Sequence, residues 1–315
     1  MGLRVALTGG TGFSGAHIIP ALLDAGHSVA ALARRPDALK GQAVDIIEGD
    51  LADQGALHRL VDQADVVVHA AAATSAKNRA GYFAANLDGT RHVFQAARMA
   101  RVKRFVFVSS LAAREPLLSG YAASKAAAEH YVTGQHGGPE VLILRPPAIY
   151  GPGDRATLPL MKALRQRRAF VPGRRGQKFS LLHVRDFGAV IAAAVGSDET
   201  GLVELGFPDE AQGWESLAAL HRGITGLPRS MVFLPKPLAS SFAALAELAA
   251  QVTGRPSMVN TGKVNELYHR DWVAREVTNL LQNPTPLADG LAETLGWYEQ
   301  QGWLPPLAQK TRTPA

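Results

Sequence analysis

Up to Arg145, the apolar positions fall in short unbroken runs rather than in alternation. They cover residues 3–8, 27–33, 44–48, 65–70, 104–109 and 141–145. A strand with one wet face alternates apolar and polar side chains. A strand covered on both faces is apolar throughout, which points to a parallel sheet. Amphipathic stretches lie between the runs, among them 16–25, 86–100 and 121–131. Strand and helix in repeated succession predict right-handed crossovers and an α/β fold built on a doubly wound parallel sheet.

The first crossover carries a glycine signature. The run Val5-Ala6-Leu7 leads into Thr8-Gly9-Gly10-Thr11-Gly12-Phe13-Ser14-Gly15, with glycines three apart, and a helical stretch follows at once. Strand, tight turn and helix in that order leave backbone N–H groups at a positive helix end, where a pyrophosphate binds. One glycine permits the turn, one lets the backbone approach phosphates, and one lets helix and strand pack closely. The expected dinucleotide site therefore includes Gly9, Thr11, Gly12, Phe13, Ser14 and Gly15.

Past Arg145 the texture changes. Pro146-Pro147 and Gly151-Pro152-Gly153-Asp154 interrupt any regular period. Stretches 158–168 and 214–224 predict helices of a smaller lobe over the carboxyl edge of the sheet, the edge where such folds bind ligands. The expected organisation is a dinucleotide-binding Rossmann domain over 1–150 and a mainly substrate-binding lobe over 151–315, with a strand at 202–205 rejoining the sheet. The apolar stretch 238–250, broken by Glu247, reads as a helix packed against the core; a hydrophobic crevice or a membrane surface ranks behind that. No run is long enough to span a membrane. The polar tail 309–315 reads as loose.

Composition narrows the chemistry. At 47% hydrophobic and 19% charged residues the chain has the make-up of a globular protein with a large core. It has no cysteine, which excludes disulfides, thiolate catalysis and cysteine zinc sites. Its histidines have no metal-ligand spacing, so no metal is expected. The absence of cysteine and of a signal-peptide pattern fits a cytoplasmic protein. The net charge is +6, with basic residues gathered in Arg165-Gln166-Arg167-Arg168 and Arg174-Arg175-Gly176-Gln177-Lys178. These clusters read as a solvated surface or as attraction for an anionic cofactor or substrate. Aromatics are few and not interleaved with the charges, so nucleic acid is not an expected partner.

Tyr121 and Lys125 lie four apart on a predicted helix, hence on one face and a turn apart. An ammonium near a phenol stabilises the phenolate and suits it to proton exchange. Ser109 and Ser110 end the fifth run, at the edge where a cofactor is expected to lie.

In this order the chain resembles the extended short-chain dehydrogenase/reductase family, which includes nucleotide-sugar epimerases, dehydratases and dihydroflavonol-reductase-like enzymes. The resemblance extends to Gly49-Asp50-Leu51, His69-Ala70-Ala71-Ala72, Asn86-Leu87-Asp88-Gly89-Thr90, Arg145-Pro146-Pro147-Ala148-Ile149-Tyr150-Gly151-Pro152-Gly153 and His183-Val184-Arg185-Asp186. It implies hydride transfer between a nicotinamide and a substrate carbon. Tyr121 would be the acid/base, Lys125 would lower its pKa and bind the nicotinamide ribose, and Ser110 would orient the substrate oxygen, with Ser109 as the neighbour in competition. Asp50, Leu51, Ala70, Ala71, Ala72, Asn86, Ser109, Pro146 and Ile149 would line the cofactor. The resemblance also implies a homodimer built through the helix that bears Tyr121 and Lys125.

The segment Leu32-Ala33-Arg34-Arg35 ends the second run with arginines where an acid would favour NAD. Arginines embrace a 2′-phosphate, so Arg34 and Arg35 favour NADP, with NAD as the alternative. Three functions are open: a reductase or dehydrogenase acting on a ketone/secondary-alcohol pair, a nucleotide-sugar epimerase holding NAD, and a non-catalytic nucleotide-binding sensor or assembly protein. Leu111-Ala112 stand where dehydratases carry acids, which speaks against dehydration.

Overall fold

In the computed structural model the six apolar runs form strands: β1 (Arg4–Thr8), β2 (Ser28–Ala33), β3 (Asp45–Glu48), β4 (Val66–His69), β5 (Arg104–Val108) and β6 (Glu140–Arg145). The structure describes residues 2–206, 211–228, 230–253, 260–275, 279–281 and 283–306, without the side chains of 250–253. Between the strands run α1 (Gly15–Asp24), α2 (Gln54–Val61), α3 (Arg79–Phe83), α4 (Gly89–Met99) and α5 (Gly120–Thr133). Then come β7 (Ala148–Tyr150), α6 (Leu158–Leu164), β8 (Arg168–Pro172), β9 (Lys178–Phe179), β10 (Leu181–His183), α7 (Val184–Gly196) and β11 (Gly201–Glu204). The chain continues through α8 (Trp214–Thr225), β12 (Ser230–Leu234), α9 (Lys236–Thr253), α10 (Thr261–Leu267), β13 (Asp271–Trp272) and α11 (Leu287–Gln300).

The central sheet has the order β11-β6-β5-β4-β1-β2-β3 and is parallel throughout. The chain leaves β1 in one direction through β2 and β3, then returns to its other side with β4. This reversal between β1 and β4 is the switch point at whose carboxyl end ligands bind. Both faces are covered. Val5 and Leu7 of β1 pack with Ile18, Ile19 and Leu22 of α1 and with Phe187, Val190 and Ile191 of α7. Ala6, between them, faces Leu57 of α2, Val93 and Phe94 of α4, and Ala128 of α5. Successive residues of one strand thus enter opposite cores, which is why the runs do not alternate.

A separate apolar cluster joins Met161 and Leu164 of α6, Val171 of β8, Trp214 of α8, and Leu291, Leu295 and Tyr298 of α11. Three short parallel pairs surround it: β10 with β7, β12 with β8, and β13 with β9.

Three stretches differ from expectation. The helix expected over 158–168 stops at Leu164. The Arg165 guanidinium turns to Glu299 and to the Pro305 carbonyl, and β8 then alternates exposed Arg168 and Phe170 with buried Ala169 and Val171, in register with β12. The stretch expected to start a helix at 86 begins instead with a wide π-turn over Ala84–Asp88, before α4. Finally, α9 does not bury its large side chains. Ala239 and Ala243 face inward toward Val264 and Tyr268, while Leu238, Phe242, Leu245 and Leu248 are exposed. Residues 309–315 lie outside the described residues. No helix among the described residues is long and apolar enough to cross a membrane.

Candidate active site

The glycine turn sits at the switch point. Gly9 has a φ of +84°, the left-handed region that favours glycine. A Cβ on Gly9 would lie 2.6 Å from the Ala71 nitrogen and 2.7 Å from the Ala70 carbonyl carbon, and one on Gly15 would collide with the Gly9 and Gly10 carbonyls. A Cβ on Gly12 would meet only the Gly9 carbonyl oxygen, at 3.3 Å. The turn is therefore tight on its protein side and open on the other. Ser14, at the start of α1, makes no side-chain cap, so its hydroxyl does not compete for the first-turn N–H groups. A pyrophosphate fits this cradle on the chemistry of its donors. Thr11 and Gly12 are exposed. Phe13 packs edge-on against His17, at 6.0 Å between centroids, and His17 meets the Pro152 carbonyl at 3.1 Å.

On the β4 side, the Ala70 amide bonds the Thr8 carbonyl at 3.2 Å and the Ala71 amide bonds Thr8 Oγ1 at 3.3 Å; Ala72 follows, exposed. Arg34 and Arg35 follow β2 directly and are exposed. The Asp50 carboxylate accepts from the Ala52 and Asp53 amides, at 2.8 and 3.2 Å, and so closes its own turn. Leu51 packs under α4, close enough that a Cβ on Gly89 would lie 2.7 Å from its Cδ1. Pro146 accepts from the Leu111 amide at 2.9 Å, and Ile149 lies in β7 against the sheet core.

Helix α5 brings the proton-handling groups together. Ser119 caps it, its hydroxyl accepting from the Ala122 amide at 2.9 Å. Tyr121 lies in its first turn, and the short turn that Ser110 caps packs against this helix. Ser110 Oγ accepts from the Ala112 amide at 3.2 Å. One turn on, Lys125 is 1% exposed. Its Nζ donates to the Val108 carbonyl at 2.7 Å and lies 4.2 Å from the Phe107 ring centroid. Burial holds the ammonium down to about 7, with Glu129 pulling the other way. Burial also pushes the Tyr121 phenol up to about 12, opposed by the Ser110 hydroxyl and reinforced by Glu266 and Tyr82. Lys125, expected to lower the phenol's pKa, donates here to the Val108 carbonyl, and burial is the largest influence on the phenol.

Ser109 turns its hydroxyl toward α5. Its hydroxyl donates to Glu129 Oε1 at 2.5 Å, and Glu129 takes Arg145 in a bidentate pair at 2.9 and 2.6 Å. Ser109 thus joins a buried ionic network. Asn86 is likewise a brace. Its carboxamide binds both the amide and the carbonyl of Ala73 and donates to Ser124 Oγ at 2.9 Å, fastening the post-β4 loop to α5. The π-turn around it supplies the local widening often found at functional sites.

Two neighbours escape sequence reasoning. Tyr82 of α3 is 6.3 Å from Tyr121, centroid to centroid; no local pattern marks it, because only the tertiary fold brings it there. Glu129 had a signal. It stands four residues past Lys125, on the same helical face.

The model of the NAD dependent epimerase/dehydratase family matches residues 5–206. The chain belongs to the NAD dependent epimerase/dehydratase family. The chain is similar to the ceramide reductase of Caulobacter vibrioides, 36% identical over 307 residues and covering 96% of both chains. The sterol demethylase protein B of Methylococcus capsulatus is 30% identical over 339 residues, 96% of this chain and 100% of its own. Among solved structures, a UDP-N-acetylglucosamine 4-epimerase from Methanobrevibacter ruminantium M1 superposes with a TM-score of 0.73 at 21% identity, covering 95% of this chain and 99% of that one. That structure carries the fold alone. This member of the epimerase/dehydratase family is an NAD(P)-dependent enzyme of the extended short-chain dehydrogenase/reductase type.

Proposed function

We propose that this enzyme is an NADPH-dependent reductase of a ketone on a long-chain apolar molecule of the ceramide class, working through Ser110, Tyr121 and Lys125. The observation that carries the reading is placement: Tyr121 and, one turn on, buried Lys125 stand on α5, which packs against the short turn that Ser110 caps at the carboxyl edge of the sheet. A tyrosine keeps its proton at neutral pH and can give it to a carbonyl oxygen, which is what carbonyl reduction requires. End-to-end similarity to a ceramide reductase supports the substrate class. Gly9, Gly12, Gly15 and the start of α1 would hold the pyrophosphate, and Arg34 and Arg35 the 2′-phosphate. Bound NADPH would supply the hydride for the carbonyl carbon. Tyr121 donates its phenolic proton to the carbonyl oxygen. Ser110 holds that oxygen beside the phenol, and buried Lys125 fixes the floor of the site through Val108. A homodimer through the face of α5 is the proposed assembly, tested by light scattering.

The test is stoichiometric oxidation of NADPH with a long-chain β-keto amide, run beside nucleotide sugars. Tyr121→Phe is expected to cut kcat by about 100-fold or more while NADPH affinity stays near that of the unaltered enzyme. Full activity in that variant would remove Tyr121 from the mechanism. Protein purified with bound NAD that interconverts a nucleotide sugar without net cofactor turnover would replace reduction by epimerisation. For the cofactor, Arg34→Ala should weaken NADPH binding by about tenfold or more, the scale of one charge-assisted contact, and leave NADH binding unchanged. Parallel fluorescence titrations read both, and equal affinities in the variant and its parent would return the assignment to NAD.

A further inference from the structure

Helix α9 carries its side chains inside out. Its inward positions hold small residues, Ala239 and fully buried Ala243, against Val264 and Tyr268. Its outward positions hold Leu238, Phe242, Leu245 and Leu248, exposed at 47, 63, 64 and 58%. At about 100° per residue these four fall within a stripe roughly 120° wide. Globular packing buries the large apolar side and wets the small one, so this face is built for something outside the chain. The acid of α9 is absent from it: Glu247 turns toward α10 and accepts from the Thr261 amide at 3.0 Å and its hydroxyl at 3.2 Å.

Basic residues gather at the N-terminal end of the helix. Exposed Lys236 opens the helix. Just before it, β12 pairs with β8, Leu234 opposite Pro172. Beyond Pro172 come exposed Arg174 and Arg175, the second with its guanidinium 5.8 Å from the Phe233 ring centroid. The whole chain carries +6. We propose that the outward face of α9 seats the enzyme on an anionic lipid bilayer, lying in the plane of the interface. A large apolar stripe with basic residues at its N-terminal end, on a helix not apolar enough to span, resembles an interfacial helix.

The seat lies close to the chemistry. Helix α10, which packs against α9, also packs against the start of α5: Ser119 Oγ donates to Glu266 Oε1 at 2.5 Å, and Asn260 Nδ2 reaches the Tyr82 hydroxyl at 3.4 Å. A lipid leaving the bilayer beside α9 is one helix layer from Tyr121. That delivery role rests on the lipid-ketone reading above; the docking itself does not.

The experiment is co-sedimentation with vesicles of pure phosphatidylcholine and of phosphatidylcholine with phosphatidylglycerol. The full chain should bind the anionic vesicles more tightly. F242S/L245S/L248S should lose vesicle binding and keep its activity on a short, water-soluble ketone, while activity on a vesicle-borne ketone drops at least tenfold. R174Q/R175Q should weaken anionic binding by roughly 30-fold, about fivefold per charge. Failure of the unaltered protein to sediment, or unchanged binding in the triple variant, overturns the proposal. So does light scattering that finds a dimer dissolved by the triple variant, which would give the face to a second copy. Vesicle binding without reduction of either ketone would sink the reductase reading and leave the docking surface standing.

Discussion

The most consequential side chains near the cleft are titratable groups held away from water. His69 at the end of β4 is fully buried between Thr8 Oγ1 at 2.7 Å and Thr90 Oγ1 at 3.0 Å. Burial, helped by the charge on Lys125, pulls its pKa from 6.5 to about 3. The unfolded chain therefore binds a proton between pH 6.5 and 3 that the folded chain refuses, and stability falls as pH falls through that window. The loss is on the order of 4 kcal/mol at full protonation. Lys125 acts with the same sign at higher pH, since its folded pKa near 7 lies below 10.5. His69→Gln keeps hydrogen-bonding capacity toward both threonines and removes the proton, so its urea midpoint should decline less steeply between pH 6.5 and 4. Equal slopes would show that another group governs the acid limb. Much at this scale was legible: the glycines and the Tyr121–Lys125 pair are local patterns, and local geometry fixes what they do. The choice between Ser109 and Ser110 was not. Both end β5, and only Glu129 on a distant helix decides which hydroxyl turns away.

Elements were legible where period and length agreed. Runs buried on both faces read as parallel strands, and the sheet has them. At α6 and β8, helical amphipathicity ran into a basic run that the chain uses to turn, since Arg165 is drawn to α11. At α9, hydrophobicity located a helix but not its inner side, because size rather than polarity separates its two faces. The junction of β5, β6, β11 and α5 depends on an ionic network no local pattern announces. Glu129 pairs Arg145, Arg145 reaches Glu204 at 3.6 Å, and Glu204 meets Arg114 at 3.3 Å. Glu129→Ala strands Arg145 beside Glu204 and removes the acceptor of Ser109, so about 3 to 5 kcal/mol should go from denaturant-measured stability. Glu129→Met with Arg145→Met removes charge and partner together and should cost markedly less. A double variant as unstable as the single one would mean that packing, not an uncompensated charge, accounts for the loss.

The whole molecule is a sheet whose carboxyl edge is roofed by later segments fastened at a few non-local points. Arg114, beside the Ser110 turn, donates to the Asp271 and Val273 carbonyls at 2.7 and 2.9 Å. Gln177 is 3% exposed; it donates to the Leu267 and His269 carbonyls and accepts from Trp214 Nε1 at 2.8 Å. Asp186 takes the amide and hydroxyl of Thr285, at 2.8 and 2.7 Å, tying α7 to the approach of α11. These pairs span long stretches of sequence, which is why a family motif such as His183-Val184-Arg185-Asp186 was visible without its structural purpose. The fastening nearest the proposed chemistry is the α10–α5 contact, where Gly262 leaves so little room that an added Cβ would lie 2.8 Å from Ser119 Cβ. Gly262→Val must push α10 off the start of α5 and move the wall formed by Asn260 and Tyr82. The glycine turn stands on β1 and β4, outside that contact, so NADPH affinity should hold. The KM for the carbonyl substrate should rise on the order of tenfold, the cost of displaced positioning groups, with a smaller fall in kcat. Steady-state kinetics beside a fluorescence titration separates the two quantities. Parallel loss of NADPH binding would mean that the roof and the dinucleotide site are one mechanical unit, and unchanged KM would take α10 out of the substrate wall.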